Sequence, residues 1–372
     1  MKIGINALQV RADKSGVGQY IECLIDGLLH ELATDDELLV YATPLNAKNF
    51  QRDDARLTVR EFGPSARREW RLAYEWINLP GQIKRDRLDV FHGASNFLPR
   101  RCPFPSVVTI HDASRWVDPG RYTRANLVYS RLMTRHTLRM NSPVITVSNA
   151  AKRDLMRYLH LPEERIHVIH EAAHPRFRLI SSDTAPLNLS MPYLLHVGTI
   201  EPGKNIERLI HAFAQFRAHH PKHTLVLAGD RGWKMERIFD AIAKHRLENA
   251  VRYVGHVSDD ELVALYNGAE FFIFPSLNEG FGLPPLEALQ CGTSVIASNR
   301  SSLPEVLGDA PLYIDPTDIS QMAEAMAKVA DDSTLRMEMK KSGLAQATRY
   351  SWAQTARHTI EVYRMAITAR GY

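Results

Sequence analysis

The chain has 372 residues, 45% hydrophobic and 24% charged, with a formal net charge of +4. That length exceeds what a single core usually serves, so two domains are expected, and the composition excludes a disordered or fibrous chain. No apolar run approaches the roughly 18–20 residues of a membrane-spanning helix, and the three cysteines, Cys23, Cys102 and Cys291, follow no metal or disulfide spacing.

The few unpatterned cysteines point to a reducing cytosol, and the N-terminus reads as a first strand without the apolar core of a signal peptide. Charge is uneven. Residues 1–178 hold 27 Lys and Arg against 20 Asp and Glu, a balance of +7, and the remainder carries −3. A basic first half suits an anionic acceptor or an anionic membrane surface, or simply solubility. No feature calls for nucleic acid.

Lys2 to Asn6 reads as a first strand, and Gly16-Val17-Gly18 opens a helix running to about Ala33. Without a third glycine, this turn fits either a phosphate-approaching loop or a plain βα turn. Leu38–Ala42 and Leu57–Phe62 read as further strands. Between Ser65 and Arg87, Trp70, Ala73, Tyr74 and Ile77 form a helical stripe beside Arg67, Arg68 and Arg71. Such a helix either lies at a lipid headgroup surface or packs its aromatics into the core. Leu88–His92 and Ser106–Asp112 each read as a strand that brings a histidine, His92 or His111, to the edge where ligands bind in parallel sheets. Tyr122–Met140 is a basic amphipathic helix, Pro143–Val147 a strand, and Ser148-Asn149 a helix cap. A short strand at Ile166–Ile169 closes the first half, and the polar stretch Ser181–Pro186 marks the domain boundary.

The second half opens with a strand, Tyr193–Val197, then Gly198-Thr199-Ile200-Glu201-Pro202-Gly203-Lys204-Asn205 and a helix to about His219. A lysine beside converging backbone N–H groups suits a diphosphate. Arg231, in Gly229-Asp230-Arg231-Gly232-Trp233, either adds charge there or is a solvated loop residue. Strand Val251–Val254 leads into Gly255-His256-Val257 and a capped helix start at Ser258. Phe271–Phe274 is a buried strand, followed by Ser276-Leu277-Asn278-Glu279-Gly280-Phe281-Gly282-Leu283. Pro284 and Pro285 then open a helix that stops near Gly292, and Ser294–Ala297 is the next strand. Glu279 and Glu287 flank this glycine turn. Two carboxylates beside an anion-friendly helix start would repel phosphate unless they bind the neutral hydroxyls of a sugar and a ribose, which points to a sugar nucleotide. Three helical stretches follow Asp318, the last from Trp352 to about Thr368.

Glu279-Gly-Phe-Gly-Leu-Pro-Pro-Leu-Glu287 resembles the Glu-x7-Glu motif of retaining glycosyltransferases of the two-Rossmann type (GT-B), specifically family 4. Cys291-Gly292-Thr293 and Ser301-Ser302-Leu303-Pro304-Glu305-Val306 are similar to that family too, as is nearly everything from Tyr193 to Asp315. The resemblance implies an α/β fold of GT-B architecture, with two doubly wound parallel-sheet domains facing a cleft. Residues 1–180 would bind the acceptor and 190–350 the donor, with 351–372 a final helix crossing back to the first domain.

By the same resemblance, His111, Glu279 and Lys204 are the expected catalytic residues. Gly16, Gly18, Gly198, Thr199, Lys204, Asn205, Arg231, Val257, Glu279, Gly280, Phe281, Gly282, Leu283 and Glu287 are expected at the donor, with Val257 at the nucleobase. His92 is expected near the acceptor. This chain has Gly203 and Thr199 where relatives carry arginine, so Lys204 is the main cation in its loop. No metal or other cofactor is expected. The Glu279-to-Glu287 variant, together with Ile110-His111-Asp112, resembles polysaccharide mannosyltransferases. It implies α-mannosyl transfer from GDP-mannose to a glycan or polyprenyl-linked acceptor, in the cytoplasm or on the cytoplasmic face of the inner membrane. UDP- or dTDP-sugar transfer of glucose, N-acetylglucosamine or rhamnose is the alternative. Further alternatives are an inactive partner subunit, a sugar-nucleotide epimerase and a sugar-binding receptor. The carboxylate pair argues against the epimerase, and Lys204 in a phosphate loop argues against the receptor.

Overall fold

The structure is a computed structural model that describes residues 1–10, 16–62, 74–180, 189, 192–233 and 235–369. The expected basic–aromatic stripe at Arg67, Arg68, Trp70, Arg71 and Ala73 lies outside the described residues, as does the boundary stretch Ser181–Pro186. The chain divides into two compact units, Met1–Glu171 with Ser351–Tyr372, and Ala172–Tyr350.

The first unit holds β1 (Lys2–Asn6), β2 (Glu37–Ala42), β3 (Leu57–Glu61), β4 (Val90–Gly93), β5 (Ser106–Thr109), β6 (Val144–Thr146) and β7 (Ile166–Val168). They form one parallel sheet in the order β3-β2-β1-β4-β5-β6-β7. The second unit holds β8 (Tyr193–Val197), β9 (Thr224–Ala228), β10 (Val251–Gly255), β11 (Phe271–Phe274), β12 (Val295–Ser298) and β13 (Leu312–Ile314). Their order is β10-β9-β8-β11-β12-β13, again all parallel. Central strands such as β4, β8 and β11 are buried along their whole length, which is why they are mostly apolar, interrupted only by His92 in β4 and His196 in β8. In each sheet the strand order reverses once, between β1 and β4 and between β8 and β11. Such a switch point leaves a crevice outside the strand ends.

Most elements lie within a residue or two of expectation. The strand expected over Ser106–Asp112 ends at Thr109, so His111 and Asp112 stand in the loop beyond it. Strands β9 and β13 and the helix Glu236–Lys244 were not anticipated.

The helix Trp352–Ala369 belongs to the first unit, where it packs on the helix Gly16–Glu31. A Cβ on Gly27 would come within 2.6 Å of the Trp352 carbonyl, so only glycine permits this approach. Trp352 meets the ring of Tyr20 edge-on at 5.9 Å. Among the described residues no helix is long and apolar enough to cross a membrane.

Candidate active site

In the second unit the crevice between β8 and β11 is built from the loops that leave those strands. After β8, Gly198 takes a φ of +150°, and Pro202–Lys204 forms a single 3-10 turn. After β11, the backbone N–H of Leu277 donates to the Gly203 carbonyl at 3.0 Å and ties the two loops together. Lys204 therefore sits on a tight turn before the helix Ile206–His219 rather than within its first turn.

This tie brings the principal cation and carboxylate into contact. Lys204 Nζ donates to Glu279 Oε1 at 2.6 Å, and both side chains are about 15% exposed. The Ser276 hydroxyl also donates to Glu279 Oε1. Lys204 Nζ lies 5.1 Å from the centre of the Phe274 ring, whose face favours a cation. The backbone of Glu279 is fixed as firmly: Ser301 Oγ accepts from its N–H at 3.2 Å and donates to its carbonyl at 2.6 Å. Ser302 Oγ lies 3.0 Å from the same carbonyl and 2.8 Å from that of Phe281. Ser301 and Ser302 lie within the family-like run, but nothing in the sequence assigns them this task.

Beneath the loop, His196 is fully buried and stacks on Phe274 at 5.7 Å. Its Nδ1–H donates to Ile273 O at 3.0 Å, leaving Nε2 as a buried acceptor with no partner among the described residues. Burial, with some help from Lys204, pushes this imidazole down to about 4, so it is neutral.

Gly282 starts the helix Leu283–Gln290 with a φ of +104°, and a Cβ there would lie 2.6 Å from Leu303 Cδ2. Leu283 and Gly280 are half-buried, and Phe281 is buried edge-on against Tyr350 at 5.7 Å. Glu287, 4% exposed, accepts from the Tyr266 hydroxyl at 2.9 Å. Burial, with the Glu287 charge adding, pushes the Cys291 thiol up to about 12 and makes it unreactive. Thr199 and Arg231 are exposed, Val257 half-buried, and the Arg231 guanidinium lies 5.8 Å over the Tyr253 ring.

Asn205 requires a correction. It was expected at the donor, but it is 4% exposed in a left-handed conformation, φ +61°. Its amide donates to Pro275 O at 3.1 Å and Pro316 O at 2.6 Å, and its Oδ1 accepts from Arg208 at 2.8 Å. Every polar atom of the side chain is used in holding three segments together, so Asn205 acts structurally.

In the first unit Gly16 is exposed at the start of its helix and Gly18 is buried. His92 is likewise corrected. It is fully buried, with Nδ1 2.7 Å from the Tyr363 hydroxyl and Nε2 2.7 Å from Thr109 Oγ1. Burial pushes it down to about 3, with the nearby His111 contributing. It has no atom left for an acceptor.

His111 differs. Its backbone N–H donates to Asn96 Oδ1 at 3.1 Å, and Asn96 itself holds a φ of +72°. The ring meets Tyr20 edge-on at 4.7 Å and remains 13% exposed. Glu171 Oε1 lies 3.2 Å from Nδ1 and Ala94 O 3.2 Å from Nε2. Burial opposes the charged form, but the bond and charge of Glu171, the Ala94 carbonyl and Asp112 together outweigh it and raise the pKa. Glu171 was not anticipated, because one acid after a short strand carries no pattern.

Comparison with known proteins agrees with this architecture. Residues 15–175 match the model described as "Glycosyltransferase Family 4" and residues 181–346 the one described as "Glycosyl transferases group 1". The chain is 33% identical over 299 residues to the O-antigen chain mannosyltransferase B of Escherichia coli, covering 76% of each chain. Sucrose-phosphate synthase from Thermosynechococcus elongatus superposes with a TM-score of 0.79 at 21% identity, covering 99% of this chain and 100% of that one. Anabaena Alr3699/HepE in complex with UDP-glucose does so with a TM-score of 0.74 at 18% identity, covering 98% and 100%. The matched sequence models, the relative aligned over most of its length and the two parallel sheets converge on one conclusion: the chain belongs to the GT-B glycosyltransferases of family 4.

Proposed function

We propose that this glycosyltransferase moves an α-mannosyl group from GDP-mannose to a glycan or polyprenyl-linked acceptor during bacterial surface polysaccharide synthesis. The mannosyl reading is supported by the Escherichia coli O-antigen relative, and a nucleotide diphosphate sugar as donor by the UDP-glucose held by Alr3699/HepE.

The observation that carries the catalytic reading is the Lys204–Glu279 contact at the β8–β11 switch point. Lys204 would stabilise the departing diphosphate beside Gly198 and Thr199 of the loop after β8, with Arg231 adding charge. That cation does what a metal does in other transferases, so transfer is metal-independent in this reading. Glu279 would exchange its bond to Lys204 for hydroxyls of the sugar and stabilise positive character at the reacting carbon. Gly280, Phe281, Gly282 and Leu283 would present backbone to the donor, Glu287 would accept from its ribose hydroxyls and Val257 would lie at its base. His111 contributes a contact to the donor sugar. Transfer proceeds with retention, the leaving phosphate accepting the acceptor's proton; an equatorially linked product from the axial donor would refute this.

The basic first unit suits an anionic surface on the cytoplasmic face of the inner membrane. The test is hydrolysis of a panel of GDP-, UDP- and dTDP-sugars by the purified chain in excess chelator. GDP-mannose turnover with undiminished rate is expected. Turnover confined to UDP- or dTDP-sugars would replace the mannosyl reading, and loss of turnover restored by a divalent cation would remove metal independence.

A further inference from the structure

Glu171 is a buried carboxylate, 4% exposed, at the end of the first unit's continuous segment. Its side chain makes a single hydrogen bond among the described residues, to His111 Nδ1 at 3.2 Å. An isolated buried carboxylate is costly, and a partner that carries the opposite charge and donates a hydrogen bond offsets that cost. The other ring nitrogen of His111 faces the Ala94 carbonyl at 3.2 Å, a group that can only accept. A neutral imidazole has one N–H and one lone pair, so either tautomer would set a lone pair against an acceptor oxygen. Against an ionised Glu171, which can only accept, both nitrogens are satisfied only by an imidazolium.

We propose that Glu171 is a positioning residue that holds His111 as an imidazolium, making its Nε2–H a charged donor to a sugar or phosphate oxygen and leaving the ring no lone pair with which to act as a base.

The surroundings agree. The Asn96 side chain fixes the backbone of His111, and the edge-on Tyr20 ring restricts rotation of the imidazole. The titratable groups facing it are Glu171, the neighbouring Asp112, His92 and Tyr20. His92 is held neutral by burial, and burial raises the Tyr20 phenol, so neither adds a charge near neutral pH. The two carboxylates favour the cation. When a ligand approaches, Nε2–H has only to exchange the Ala94 carbonyl for a ligand oxygen.

This inference rests on the reading of His111 as a donor-sugar contact, and the experiment separates the two. Nitrogen-detected NMR of the full-length chain, with the His111 signals assigned by their loss in His111→Asn, should show both ring nitrogens protonated at pH 7. In Glu171→Gln the titration midpoint should fall by about 1–3 units, with Glu171→Asp in between. A neutral His111 in the wild type, or a midpoint unmoved in Glu171→Gln, overturns the proposal. Kinetics on the same proteins test the other reading. Glu171→Gln should lower kcat by about 100-fold, shift the alkaline limb of the pH profile toward acid, and leave KM for the acceptor little changed. An NMR shift with kcat and pH profile unchanged would leave the ion pair standing and remove His111 from the donor site.

Discussion

Asn205 and Lys204 are neighbours in one loop, yet they serve different ends. Lys204 turns its ammonium to Glu279 over the face of Phe274, while Asn205 spends its amide on two carbonyls from other segments. Replacing Asn205 with Ala would strand those buried carbonyls and force alanine into a left-handed conformation. The expected cost is about 1–3 kcal/mol for the lost bonds, read as a lower midpoint in urea. A midpoint equal to wild type would show that Asn205 does not hold the loop. Lys204 and Glu279 stand out in the sequence as a cation beside a glycine turn and one of a carboxylate pair at fixed spacing, and the structure sets the two in contact. Asn205 and His92 were misread because a polar residue at a ligand-side strand end serves equally well as a tie between segments. His196 and Glu171 gave no signal, since burial beneath a site depends on contacts made far along the chain.

Elements near the site are set by backbone constraints that side-chain patterns do not report. The helix Leu283–Gln290 begins at Gly282 because that residue alone accepts a φ of +104° with Leu303 pressed against it. Gly282→Ala should therefore cost about 1–2 kcal/mol in backbone strain, with the Leu303 overlap added. It should also lower donor turnover more than it lowers the unfolding midpoint predicts, because the helix start moves with it. Equal turnover per folded molecule would show that the helix start does not touch the donor. Prolines at 284 and 285 made this start legible, as did the aromatic run of β11. The residues of β9 were less legible: Thr224–Ala228 follows a histidine-rich turn and has no flanking glycine motif before Gly229. The Ser106–Asp112 strand was read too long because Ile110 remains buried after the ladder has ended at Thr109.

At the scale of the whole molecule, each unit carries a fully buried neutral histidine, His92 in the first and His196 in the second. Burial lowers them to about 3 and about 4 from an ordinary value of 6.5. As pH falls below 6.5 the unfolded chain takes up these protons first, so stability is full above that point. It is lost progressively as pH falls toward 4 and then 3. Each histidine should contribute a slope of about 1.4 kcal/mol per pH unit across its window. Urea unfolding from pH 7 to pH 5 should show the loss, and His92→Gln should flatten it in the first unit alone; a flat profile in the wild type would contradict the assignment. The GT-B architecture was legible from the family resemblance of the run around Glu279 and Glu287, and two domains from the chain's length. Attachment of the last helix to the first unit rests on Gly27 meeting the Trp352 carbonyl, a fit between residues more than 300 positions apart that no local pattern encodes.

The central claim is that Lys204 carries the charge of the departing diphosphate. The most direct measurement is GDP release from GDP-mannose by wild type and Lys204→Ala at equal folded concentration and saturating donor. Without the ammonium, kcat per folded molecule should fall by about 100- to 1000-fold, a loss separate from any drop in the unfolding midpoint caused by the stranded Glu279 carboxylate. A variant that released GDP at the wild-type rate would contradict it.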